Sequence, residues 1–124
     1  GEQKLMIANA DGTEPRQLAA RRGDEIFFNF PAPGPSWSSD GKTIATSIGT
    51  SNPQTMSVAV VSVATGEITV WDSQKFSWTN KPTWLADGKG LLMLAREAEG
   101  QPNQIWQITY PAGEYKKLSN DVWG

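Results

Sequence analysis

The chain has 124 residues, 38% of them apolar and six of them Trp, and its 11 basic and 13 acidic residues leave a net charge of −2; this is the composition of an ordinary globular domain, without the positive field that displaces phosphate counterions, so nucleic-acid binding is excluded. With no His and no Cys, the chain cannot build a Ser/His/Asp or Cys/His nucleophile, a disulfide framework or a zinc site on those ligands. The longest apolar run, Met56 to Ala64, is about half of the ~20 residues that cross a bilayer as a helix, and the chain opens directly on strand-like residues with no leader pattern, so any targeting signal is expected elsewhere.

In chain order, Leu5 to Asn9 alternates like a strand, Asp11-Gly12 is a turn pair, and Pro15 to Leu18 returns as a second strand. Ala20 to Gly34 follows as a connecting loop in which Arg21, Arg22, Asp24 and Glu25 stand beside Phe27, Phe28 and Phe30. Loops that are long against a regular scaffold often carry binding function, which makes Arg22, Asp24, Phe27, Phe28 and Phe30 candidates for a partner-binding loop. The plainer alternative is that the Phe residues cover the neighbouring sheet, as Phe76 and Trp78 would in the shorter counterpart Asp72 to Lys81.

Pro35-Ser36-Trp37-Ser38-Ser39-Asp40-Gly41-Lys42 opens a unit whose later strands are Thr43 to Ile48, Met56 to Val63 and Glu67 to Trp71. Pro82-Thr83-Trp84-Leu85-Ala86-Asp87-Gly88-Lys89 opens the next, followed by Leu91 to Ala95, Gln104 to Tyr110 and Glu114 to Leu118. The two units superpose without a gap at an offset of 47 residues, which also lays Gly66-Glu67 on Gly113-Glu114. Short strands at a period of about 40 to 50 residues are the pattern of propeller blades, each a four-stranded antiparallel sheet. The opening segment matches only the third and fourth strands of such a unit. The expectation is therefore an all-β propeller fragment of about two and a half blades: a half blade and loop at 3–34, a blade at 35–81 and a blade at 82–119.

The repeated Pro-x-Trp-Ser-x-Asp-Gly-Lys pattern and its following strands resemble the TolB-like, WD-repeat-like propellers of bacteria, although Ser39 and Ala86 stand where the commonest repeat has Pro. More narrowly, Ile7 to Thr13, Glu25 to Phe28, Trp84 to Gly88 and Gln104-Ile105-Trp106 to Gly113-Glu114 look like the propellers fused to bacterial serine/threonine kinases. That resemblance implies a non-catalytic, extracytoplasmic interaction or sensing module in a larger, membrane-anchored protein. The kinase's phosphate loop, His-Arg-Asp and Asp-Phe-Gly motifs are absent from these residues. Two alternatives share the fold: the gating propeller of a prolyl-oligopeptidase-like serine peptidase, whose Gly-x-Ser-x-Gly elbow is not in this sequence, and a periplasmic Tol-type partner protein.

Asp40-Gly41 and Asp87-Gly88 recur before the same apolar strand, which marks them as structural turns rather than a phosphate cradle. Trp37 and Trp84 share one repeat position and are expected to pack between blades, as are Trp106 and Tyr110. Asp24 with Glu25 and Glu97 with Glu99 read as solvated loop charges, and Asn9, Asp11 and Gly12 lack the later oxygens of a calcium loop. No cofactor is expected. The expected partners are a protein or peptide and, through the open ends of the blade array, further copies of the chain.

Overall fold

The computed structural model describes residues 2–8, 11–22, 26–28, 35–51 and 54–118. Among them the chain forms strands and no helix, in three antiparallel sheets. β1 (Glu2–Ile7) and β2 (Arg16–Arg22) make a two-stranded hairpin. β3 (Ile26–Phe28) and β4 (Ser36–Trp37) lie one after the other along the same edge of β5 (Thr43–Ser51), which pairs with β6 (Gln54–Ser62) and through it with β7 (Ile68–Phe76). β8 (Trp78–Thr79) and β9 (Thr83–Trp84) repeat that arrangement along β10 (Gly90–Arg96), followed by β11 (Asn103–Thr109) and β12 (Tyr115–Lys117). Each full sheet thus has four strands, the first of them broken in two.

This broken first strand shifts the boundaries expected from the repeat. The second sheet starts at Ile26, inside the segment read as a connecting loop, and the third starts at Trp78 rather than Pro82. A three-residue and a two-residue strand show too little alternation to be read from sequence. β7 also runs past the expected end at Trp71 to Phe76, because the β6–β7 register breaks between Met56 and Val58 and the extra residues bulge out.

Alternation along the central strands gives each sheet two apolar faces. On β6, Ala59 and Val61 join Phe27 and Ile48 in a core that Leu5 and Leu18 of the hairpin cover; Val58 and Val60 point the other way. There they meet Leu91, Met93, Ala95, Trp106 and Ile108 of the third sheet, with Ala45, Trp71 and Phe76 completing the larger core. Fully burying a side chain of this size contributes roughly 1.5–3 kcal/mol, so the two inter-sheet cores dominate stability.

Polar bridges fix how the second and third sheets meet. Ser47 Oγ and Thr79 Oγ1 are 2.8 Å apart in the buried junction, and the Trp84 indole N–H donates to the Ser36 carbonyl at 2.9 Å while its ring meets Tyr110 edge-on at 5.2 Å. Trp37, at the same repeat position, departs from the expectation that it packs between sheets: it is 49% exposed. The hairpin on its side corresponds to a third and fourth strand, so among the described residues no first strand faces it. Trp84→Phe is therefore expected to cost about 1 kcal/mol in urea unfolding, the net value of one hydrogen bond, whereas Trp37→Phe leaves the midpoint unchanged.

Candidate functional site

The turns that close the first and second strands are built alike. Asp40 Oδ1 accepts the Lys42 N–H at 2.9 Å and Asp87 Oδ1 accepts the Lys89 N–H at 2.9 Å, while Gly41 and Gly88 supply φ of +72° and +71°, a backbone region that costs a Cβ-bearing residue energy. Asp40 also accepts from Ser38 Oγ at 2.6 Å. That hydroxyl, more than the Lys42 N–H and charge, holds the Asp40 carboxyl below its ordinary value of 3.8. A depressed folded-state pKa adds stability above the unfolded value and loses it as pH falls through the folded one. The stability gap between the parent protein and Asp40→Asn is accordingly expected to narrow on acidification below about pH 4, as read from chemical unfolding at a series of pH values.

The first of these turns, through Gly41 and Lys42, borders a cleft of about 660 Å³, a size within the usual range for ligand pockets. Thr43 from the start of β5, Val60 and Ser62 from β6 and Thr69 from β7 form one side, and Tyr110, just beyond β11, reaches in from the third sheet. Thr43 Oγ1 and Tyr110 Oη stand 3.3 Å apart across the junction. Thr43 and Val60 are buried, whereas Lys42, Glu67 and Arg16 are exposed. Arg16 comes from β2 of the hairpin, so all three sheets contribute. Among the described residues none of these three charged side chains has an ion pair within 4.0 Å.

Of the loop candidates, Phe27 is 3% exposed in the core between hairpin and second sheet. Its alternation on β3 turns it inward, so it presents no surface to a partner. Asp24, Phe30 and the side chains of Arg22 and Phe28 lie outside the described residues. The counterpart residues are placed in packing roles: Phe76 is buried against Trp106 and Tyr115, and Trp78 lies under the Arg96 guanidinium at 6.0 Å. Glu97 pairs with Lys117 at 2.9 Å and Glu99 with Arg96 at 4.0 Å, each on the surface. Among the described residues no three metal-ligating side chains gather.

No protein-family model and no curated protein sequence matches the chain. Solved structures do. TolB from Acinetobacter baumannii superposes with a TM-score of 0.63 over 90% of this chain and 25% of its own, at 18% identity. An oligogalacturonate lyase from Vibrio parahaemolyticus gives 0.71 over 94% of this chain and 34% of its own, at 12% identity. The fold is that of a β-propeller segment. A second oligogalacturonate lyase structure, in complex with manganese, gives 0.53 over 94% of this chain and 47% of its own, at 12% identity. At these identities the likeness carries the fold alone, and the chain spans between a quarter and just under half of the neighbours' lengths. The two larger sheets are the second and third blades in chain order, counting the hairpin as the first unit, and the cleft opens where they meet.

Proposed function

We propose that this chain is a non-catalytic interaction or sensing segment of a larger bacterial protein, in which an extracytoplasmic propeller is anchored by a membrane helix to a cytoplasmic serine/threonine kinase. The observation that supports the interaction part of this reading is an apolar face of the third blade that stands exposed among the described residues. Leu92, Ile105 and Leu118 are 37%, 39% and 47% exposed. Their repeat equivalents in the second blade, Ala45, Val58 and Trp71, are 0%, 0% and 7% exposed because the third blade covers them. Large apolar side chains exposed together on one sheet face, here with Gln107 and Lys116 in the row of Leu92, suit a surface that another protein element covers. The cleft supports binding rather than catalysis, because its polar lining is hydroxyls and exposed charges rather than a desolvated acid and base.

An antibody raised against this segment, used to blot fractionated source cells, tests the assignment. The expected result is a band much larger than 13.5 kDa in the membrane fraction. A large soluble band labelled by a serine-hydrolase probe would replace this reading with the gating propeller of a peptidase, and a soluble periplasmic band without such labelling would replace it with a Tol-type partner.

A further inference from the structure

We infer that the cleft between the second and third blades binds an acidic peptide segment, with a side-chain carboxylate taken by Lys42 and Arg16 and the adjoining main chain by the hydroxyls of Ser62 and Thr69. The inference rests on the interaction-module reading above and adds the ligand to it.

Charge selects the anion. Lys42, Arg16 and Glu67 give the cleft a local balance of +1 in a chain whose net charge is −2, and among the described residues neither cation is neutralised by an ion pair within 4.0 Å. One carboxylate completes that balance. A phosphate dianion would exceed it and meet about twice the repulsion from Glu67 that a single carboxylate meets. Because the cations are exposed, Coulomb attraction alone contributes little in salt; the rest of the ligand must be held by the walls.

The walls suit a peptide backbone. A hydroxyl both donates and accepts, so it serves either amide N–H or C=O as they alternate along an extended chain. Ser62 Oγ accepts the Thr65 N–H at 3.4 Å and keeps its own hydrogen to donate. Val60 and the Tyr110 ring provide an apolar wall between the polar groups, and Tyr110 is held in place by Trp84 at 5.2 Å and Trp71 at 6.1 Å. A site that is largely preformed loses little conformational entropy on binding.

Isothermal titration of the full chain with acetyl-Ala-Glu-Ala-Ala-amide, and with the same peptide carrying Gln, tests this. The expected result is saturable binding of the Glu peptide, at least tenfold weaker binding of the Gln peptide, and a loss of at least tenfold in Lys42→Glu. Lys89→Glu, the same charge reversal at the equivalent turn of the third blade and outside the cleft, is expected to bind as the parent does. Equal affinity for the two peptides, no heat at millimolar peptide, equal loss in Lys89→Glu, or displacement of the Glu peptide by lower concentrations of inorganic phosphate would each overturn the inference. A null titration beside a large membrane-bound native product would remove the ligand and leave the module standing; a changed fractionation result beside positive binding would do the reverse.

Discussion

Tyr115→Phe is expected to cost about 2–4 kcal/mol in chemical unfolding, far more than deletion of a surface hydroxyl. The Tyr115 oxygen accepts the Val58 N–H at 3.0 Å and donates to the Trp71 carbonyl at 2.7 Å. Both groups belong to the second blade, where the β6–β7 register breaks between Met56 and Val58. The third blade's phenol fills the gap in its neighbour's ladder. Removing it strands one buried donor and one buried acceptor, each at roughly 1–3 kcal/mol. The Phe ring keeps the edge-on contact with Phe76 at 5.6 Å, so the loss isolates the hydroxyl.

The same site has a pH signature. Burial, opposed in part by the Val58 N–H bond, pushes the Tyr115 hydroxyl well above its ordinary value of 10.0. A raised folded-state pKa contributes stability that is complete below the unfolded value and is lost as pH climbs past it. The parent protein should lose stability above about pH 10 more steeply than Tyr115→Phe does.

Gly113→Ala is expected to cost about 2–4 kcal/mol. Gly113 sits in the β11–β12 turn at φ +75°, and a Cβ there would overlap the Trp71 indole. Positive φ accounts for about 1 kcal/mol and overpacking for about 1–3 kcal/mol. Gly88 separates the two contributions: its φ is +71° and a Cβ would meet nothing within 4 Å, so Gly88→Ala should cost only about 1 kcal/mol. Gly66 stands to the backbone of Leu18 as Gly113 stands to Trp71, which makes the close approach of hairpin glycine to the preceding fourth strand a rule of this array. If Trp71 is the obstacle, Trp71→Ala and Gly113→Ala will be strongly non-additive.

What the sequence made legible was what repeats. Asp40-Gly41 and Asp87-Gly88 form the turns their residue types require, and Trp84, Trp106 and Tyr110 pack between blades. What it hid was what depends on a neighbour. Trp37 and Trp84 are equal in the repeat, yet only Trp84 faces a first strand, so one is a bridge and the other stands exposed. Tyr115 overlies Ile68, and nothing local signals that it completes another blade's ladder. Lys42 belongs to a turn whose Asp and Gly are structural, but its side chain lines the cleft, and only the topology brings Arg16 from the hairpin to the same place. Binding sites between blades combine residues distant in sequence, so their legibility is low even where the fold is plain.

The most direct test of the central claim, that this is a blade array whose third apolar face is built to be covered, is sedimentation of the full chain with and without Leu92→Lys and Ile105→Lys, alongside binding of a hydrophobic dye. The account predicts self-association or strong dye binding in the parent, and a dilute monomer that binds little dye and keeps its unfolding midpoint in the double variant. A parent chain that is already a clean monomer without dye binding would contradict it.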